Sequence, residues 1–345
     1  MKVLKFGGSS VANSNALSHV VDIIKKNKEQ RIVVVVSAFG GVTDILSKML
    51  YKALNKDNDY KKFFSLIEEK HLEPIKKFIP LEKQSELISF LKSKINEIND
   101  VLAAVSMINE DTEGIQAKIL SYGEILSCEI IYKILLKSNI DVKLLDSRSI
   151  IKMKNINNKD LVNLELSSKN TLKQISIKSN NVYLISGFIA SGENNEIKTL
   201  GRGGSDYTAS LLASFLNASI LEIWTDVSGM YTANPSIVTQ AKPIPKLSYQ
   251  EAMELSHFGA KVLYPPTIQP LIEKKIPVII KNTFDNKSPG TIISADCNTQ
   301  EKNVVKGISH IDNVSLINLE GSGMVEIPGF SQRLFHSLSS NNINI

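Results

Sequence analysis

Three glycine-rich turns hold the residues of this sequence best suited to chemistry: Gly7-Gly8-Ser9-Ser10, Gly40-Gly41-Val42-Thr43 and Gly201-Arg202-Gly203-Gly204-Ser205-Asp206. Each falls where a strand hands over to a loop or helix. Glycine lets the backbone approach a ligand closely, and a helix N-terminus aims free N–H groups at an anion. Any one of these segments is accounted for as a tight turn. All three together point to anion binding, because two of them carry a cation: Lys5 just before the first and Arg202 inside the third.

Other anion and nucleophile motifs fail on inspection. No GxxxxGK[ST] is present, and GxGxxG is broken because Asp206 stands where its third glycine would be. The HRD and DFG arrangement of protein kinases and the GxSxG elbow are missing as well. Zinc is disfavoured: His19, His71, His257, His310 and His336 are scattered, with no HExxH and no CxxC.

The elements that must hold these turns read as alternating strands and helices. Val3 to Phe6 is a short strand, Asn13 caps a helix to about Asn27, and Arg31 to Val36 is a β-branched run of the kind found in central strands. A helix follows from Thr43, and residues 57–110 read as wholly helical, with no chemistry of their own. Another helix is expected with Tyr122-Gly123-Glu124 near its start, running to Leu136. Strands are expected at Asp141–Leu145, Val182–Phe188, Ile220–Thr225 and Pro277–Lys281, a hairpin at Ile189–Thr199, and helices at Ser205–Leu216, Ser248–His257 and Thr267–Lys274. This alternation means an α/β fold, a mostly parallel sheet sandwiched by helices.

Composition narrows the class further. Hydrophobic residues make up 43% of the 345 residues and charged ones 22%, enough apolar surface for a real core. The net charge of +5 is spread out, with no arginine-rich stripe, so nucleic acid is not expected as a partner. The longest aliphatic run, Ile32 to Val36, is too short for a bilayer, and the N-terminus has no apolar signal core. Cys128 and Cys297 read as buried thiols, so a cytoplasmic location is expected.

The residues now resemble a known family. Lys5-Phe6-Gly7-Gly8-Ser9-Ser10-Val11, the Ser37–Asp44 loop, Gly201 to Tyr207, Trp224-Thr225-Asp226-Val227 and Phe258-Gly259-Ala260-Lys261-Val262-Leu263 closely resemble aspartate kinase, of the amino-acid kinase superfamily. The order and spacing of the motifs match across essentially the whole chain. Ala252 to Val262, Lys281-Asn282-Thr283 and Lys306-Gly307-Ile308-Ser309 look most like the kinase half of bifunctional aspartate kinase–homoserine dehydrogenases.

The resemblance implies transfer of the γ-phosphoryl of ATP to the side-chain carboxylate of L-aspartate, giving 4-phospho-L-aspartate. This would open the route to lysine, threonine and methionine. An aspartate carboxyl has a pKa of about 3.9, so the acceptor is already ionised and no general base is required. By the same resemblance Lys5 and Asp206 are catalytic, Asp206 orienting Lys5 or the substrate amine, or merely capping a helix. Lys5, Gly7, Gly8 and Ser9 would hold phosphates, with Lys261 and Val262 meeting the nucleotide from the other side and Thr225, Asp226 and Tyr231 at adenine and ribose. Arg202 would grip the α-carboxylate and Glu124 the α-ammonium, while Ser37, Thr43, Phe188 and Ser205 complete the aspartate subsite. Mg2+ would bridge the β- and γ-phosphates with few protein ligands. The sequence departs from the family at Asn234-Pro235-Ser236, where Asp-Pro-Arg is usual, and at Tyr264, where His is usual.

The expected organisation is a catalytic domain over 1–296, a linker over 297–303, and over 304–345 the start of an ACT-like α+β regulatory domain. That last part would comprise a strand at Val314–Leu319, a helix at Pro328–Ser340 and a strand start at Ile343. It reads as cut short, so loss of amino-acid feedback is expected, with a homo-oligomer as the intact form. A competing reading is an inactive kinase-like regulatory subunit that binds aspartate or nucleotide. Glutamate or acetylglutamate kinase is a third, disfavoured by Glu124 and Arg202.

Overall fold

The structure, a computed structural model, describes residues 1–157, 159–175, 182–257, 263–295, 305–311, 314–315, 317–318, 329–341 and 343. It divides into two compact units, Met1–His310 and Ile311–Ile345.

In chain order the first unit contains β1 (Lys2–Phe6), α1 (Ser14–Asn27), β2 (Ile32–Val36), α2 (Val42–Leu54), α3 (Phe63–Phe78), α4 (Gln84–Ile108), α5 (Glu113–Lys137), β3 (Val142–Leu145), α6 (Ser147–Ile150), β4 (Met153–Ile156), β5 (Lys159–Val162) and α7 (Leu164–Gln174). It continues with β6 (Val182–Ser186), β7 (Ile189–Ser191), β8 (Ile197–Thr199), α8 (Gly204–Phe215), β9 (Ile220–Thr225), β10 (Lys246–Leu247), α9 (Tyr249–His257), α10 (Gln269–Ile272), β11 (Val278–Asn282) and β12 (Thr291–Ile293). The second unit has α11 (Phe330–Ser340), which matches the helix expected from Pro328. Of the strand expected at Val314–Leu319, Val314, Ser315, Ile317 and Asn318 take no regular element, and the other two residues lie outside the described ones.

Among the described residues one sheet runs in the order β10-β12-β11-β9-β1-β2-β6-β3, with β4–β5 and β7–β8 as separate hairpins. Every pairing in the main sheet is parallel except β11 with β12. The expected architecture, a mostly parallel sheet with helices on both faces, is what forms.

Alternation along the strands builds two cores. Leu4, Phe6, Ile32, Val34 and Val36 face one layer with buried residues of α1 to α5. Val3, Val33 and Val35 face the other, with Ala209, Leu211 and Leu212 of α8. Lys5 has the parity of Val3, so it leaves the sheet on the α8 side. Trp224 is buried and stacks on Phe6, ring centroids 6.2 Å apart, which agrees with a packing role.

Several boundaries differ from the sequence-based expectation. Helix α5 starts at Glu113, capped by Thr112 through Ile115 N–H, so Tyr122 and Glu124 sit mid-helix rather than near its start. Strand β6 ends at Ser186 because Phe188 takes a left-handed φ of +68°, which no strand residue adopts. The helix expected over Thr267–Lys274 is a tight 3₁₀ turn at Pro265–Ile268 followed by the single turn α10. The β4–β5 hairpin and α7 were not foreseen. Their short, mixed sequences carry little periodicity.

Candidate active site

The carboxyl ends of β6, β2, β1 and β9 lie side by side, and the chain leaves β1 toward β2 on one side while β9 joins on the other. An open parallel sheet places its ligand crevice at such a point. All three glycine turns gather there.

The first two turns pack backbone to backbone. Ser37 N–H donates to Phe6 O at 3.2 Å. A Cβ on Gly8 would lie 3.3 Å from Ala38 O, and one on Gly40 would lie 2.9 Å from Ala12 Cβ. Gly41, at φ +80°, starts α2, and Gly203, at φ +70°, starts α8. Two long helices therefore open toward the same space, each with its positive dipole end.

A cavity of about 660 Å³ results. Its lining includes the whole expected substrate set: Ser37, Thr43 and Glu124 from one side of the sequence, Phe188, Arg202, Ser205 and Asp206 from the other. Lys5 and Gly8 line it too. Lys5 Nζ lies 2.7 Å from Asp206 Oδ1, both side chains being largely buried. The parity of β1 aims Lys5 at α8, and the first turn of α8 supplies the carboxylate. Of the roles open to Asp206, orienting Lys5 is the one this contact fits.

Glu124 is 3% exposed, although it sits on a helix. Gly123 permits this, since a Cβ there would lie 3.0 Å from Ala38 Cβ, so α5 approaches the second turn closely. Glu124 Oε1 accepts from Ala38 N–H at 3.4 Å, and Oε2 has no hydrogen-bond partner. Burial pushes its carboxyl up to about 8, partly offset by the Ala38 N–H. Near neutral pH it is therefore mostly protonated.

Arg202 is exposed, with its guanidinium carbon 6.0 Å from the Tyr264 ring centre. The Tyr264 that departs from the family pattern thus touches the residue expected to hold the α-carboxylate.

The expected nucleotide residues are spread more widely. Gly7 N–H donates to Trp224 O at 3.1 Å, and Ser9 follows Gly8 in the same turn. Thr225 and Asp226 close β9, with Thr225 Oγ1 donating to Asp226 Oδ1 at 3.0 Å. Tyr231 bridges to Pro243. None of these five, Gly7, Ser9, Thr225, Asp226 or Tyr231, lines the cavity. Lys261 and Val262 lie outside the described residues. Asn234 is exposed, and its side chain accepts from the Ser236 N–H and hydroxyl, away from the cavity lining.

Sequence reasoning passed over Asp44 and Thr199, which also line the cavity. Asp44 had a signal, an acidic residue in the first turn of a helix that follows Gly-Gly. Thr199 had none, because only the β7–β8 hairpin brings it round.

Gly187 offers a test of this packing. A Cβ there would lie 2.6 Å from Ser205 Cβ. Gly187→Ala is expected to lose about 1–3 kcal/mol of stability through overpacking and to push Ser205 out of the cavity lining. Thermal melts and ligand titration of the purified variant check both effects.

Known proteins resemble this chain in sequence and in fold. The bifunctional aspartokinase/homoserine dehydrogenase of Buchnera aphidicola (subsp. Acyrthosiphon pisum) is 36% identical, aligned over 100% of this chain and 42% of that protein. The chloroplastic bifunctional aspartokinase/homoserine dehydrogenase 1 of Arabidopsis thaliana is 33% identical over 99% of this chain and 38% of that protein. The chain thus spans about two fifths of the length of these relatives. The crystal structure of E. coli aspartokinase III in complex with aspartate and ADP superposes with a TM-score of 0.81 at 26% identity, covering 100% of this chain and 75% of that one. Residues 1–282 match the amino acid kinase family, and the chain belongs to it.

Proposed function

We propose that this chain is an aspartate kinase, which phosphorylates the side-chain carboxylate of L-aspartate with ATP to give 4-phospho-L-aspartate. The observation that carries this reading is the charge pattern of one cavity. A buried carboxyl with a free oxygen, Glu124, shares it with a guanidinium, Arg202, and a buried ammonium, Lys5. An amino acid with two carboxylates meets all three: its α-ammonium at Glu124, its α-carboxylate at Arg202, its side chain toward Lys5. Arginine suits the second task because its planar fork can donate two parallel hydrogen bonds. The aspartate and ADP held by the E. coli structure support the same assignment.

The chemistry then needs little from the protein beyond placement and charge. A side-chain carboxylate oxygen attacks the γ-phosphorus, the bond to the β,γ-bridging oxygen breaks, and ADP leaves with that electron pair. No proton has to be removed. Lys5, held by Asp206, neutralises negative charge on the moving phosphoryl group, and the N-termini of α2 and α8 add partial positive charge. Gly7, Gly8 and Ser9 would receive phosphates along the first turn, with Thr225, Asp226 and Tyr231 toward the nucleoside and Lys261 and Val262 beside them. Mg2+ would be carried on the nucleotide's phosphates and would offset their charge; among the described residues no cluster of three or more His, Cys, Asp or Glu could hold a metal. The reading also includes a place at the head of lysine, threonine and methionine synthesis, a cytoplasmic setting and a homo-oligomeric intact protein.

An acceptor panel with coupled ADP detection tests it. ADP release is expected with L-aspartate and not with L-glutamate or N-acetylglutamate. Aspartate binding by calorimetry with no ADP release would mean a kinase-like regulatory subunit instead. Release with glutamate alone would overturn the substrate assignment.

A further inference from the structure

Residues 57–110 read as scaffolding from the sequence, yet α3 contacts Phe39 and Gly40, which line the cavity. Three of its side chains reach the first two glycine turns or their margins. Lys70 Nζ donates to Gly40 O at 3.1 Å. The His71 ring stacks on Phe39, centroids 5.0 Å apart and planes 22° apart. Glu73 Oε2 accepts from Ser14 N–H at 2.9 Å, and its other oxygen accepts from the Ser14 hydroxyl, at the start of the helix that follows the first turn. None of the three lines the cavity.

The local sequence of α3 fits this use. Pro74 lies inside the helix and has no N–H to donate to the Lys70 carbonyl four residues back, so the regular ladder is interrupted where the contacts are made. His71 is fully buried, with Nδ1 2.7 Å from Ile67 O and no partner on Nε2. Desolvation lowers its pKa to about 4, so the ring stays neutral near neutral pH and the stack on Phe39 carries no charge.

The two turns need such support. Gly40 and Gly41 have more backbone freedom to lose than any other residue type. The second turn also supplies Ser37 and leads into Thr43, so its position sets part of the cavity wall.

We propose that Lys70, His71 and Glu73 of α3 are positioning residues, which act through Gly40, Phe39 and Ser14 to fix the Gly8–Val11 and Ser37–Gly41 turns against each other. The kinetic part of this inference rests on the proposed aspartate kinase reaction; the structural part does not.

The test uses Lys70→Met, which keeps the aliphatic stem and removes the donor, with Lys70→Arg as the conservative rescue and Glu73→Met, which removes both acceptors, for the first turn. Hydrogen–deuterium exchange is read on peptides covering 8–14 and 37–44, with β2 and β6 as internal reference. Lys70→Met is expected to speed exchange over 37–44 by roughly tenfold, the size of one lost charge-assisted hydrogen bond, while β2 and β6 stay protected and Lys70→Arg restores the wild-type pattern. Glu73→Met should do the same over 8–14. In the kinase assay, KM for aspartate should rise by about the same factor in Lys70→Met, with KM for ATP and kcat little changed. Unchanged exchange over 37–44 overturns the inference. So does faster exchange spread evenly through β2 and β6, which would mark a merely structural role. If the wild-type chain releases no ADP with aspartate, the proposed activity fails, and the exchange pattern alone still decides the role of α3.

Discussion

Lys5→Ala and Arg202→Ala are expected to fail in different kinetic constants. In the proposed reaction Lys5 would face the place where phosphoryl charge develops, so its loss should lower kcat by a factor on the order of 10²–10³, as when a single oxyanion donor is removed. Arg202, in the same proposal, would meet the α-carboxylate, which does not change during the reaction. Its loss should raise KM for aspartate by roughly 10- to 150-fold, the range for about 1.5–3 kcal/mol of charge-assisted hydrogen bonding, with kcat nearly kept. Steady-state kinetics with aspartate and ATP varied separately give both numbers. A wild-type KM for aspartate in Arg202→Ala would remove that residue from the subsite.

Lys5 needs a control, because its partner is also buried. Removing the ammonium leaves Asp206 as an unpaired, largely buried carboxylate, and breaking a buried pair commonly costs about 3–5 kcal/mol. A poorly folded Lys5→Ala would therefore lose activity for the wrong reason. The double variant Lys5→Met with Asp206→Asn carries no charge at the pair and should recover most of the lost stability. Its kcat should stay low if Lys5 acts on the phosphoryl group. Recovery of both stability and kcat would show that the pair only supports the fold.

The second large effect is a pH dependence that belongs to Glu124. Its carboxyl is raised from 4.5 to about 8, chiefly by burial, with the Ala38 N–H acting the other way. A substrate ammonium needs the carboxylate form. With Glu124 holding the α-ammonium as proposed, binding below about pH 8 would expel a proton, and affinity for aspartate should rise by up to tenfold per pH unit from about 6 to 8, then level off. Calorimetry in buffers of different ionisation enthalpy should count nearly one proton released per aspartate at pH 7. Glu124→Gln should bind weakly, release no proton and show a flat profile. The fold pays the reverse way. Because the raised pKa favours the protonated folded state, the contribution of Glu124 to stability is full below about pH 4.5. It is lost progressively as pH rises to about 8, at up to roughly 1.4 kcal/mol per unit. Glu124→Gln should remove that slope from the melting temperature of the free protein. A slope unchanged in the variant would assign the titration to another group.

Tyr264 ties these two ideas to the family departures. It lies against Arg202, so under the proposed function the change from His would bear on aspartate binding. By contrast Asn234 and Ser236 close on each other at the surface, outside the cavity lining.

By itself the sequence determined the chemistry-bearing turns and the layer that carries them. Gly7-Gly8, Gly40-Gly41 and Gly203-Gly204 announce positions where a backbone must turn left-handed or pass another backbone closely, and the β-branched run at Ile32–Val36 announces a strand buried on both faces. Strand parity even fixes which face Lys5 leaves by. What the tertiary structure decided is whatever depends on residues far apart in the chain. The pKa of Glu124 is set by burial that Gly123 permits against Ala38, 85 residues away in sequence, and no local pattern carries that. Phe188 reads as the end of a strand, because its left-handed φ depends on α8, where Thr208 Oγ1 accepts its N–H at 3.1 Å. The helices of 57–110 were legible as helices from their periodicity, since apolar spacing reports which face is buried. It does not report against what, and so the contacts of Lys70, His71 and Glu73 with the glycine turns became visible only once the chain had folded.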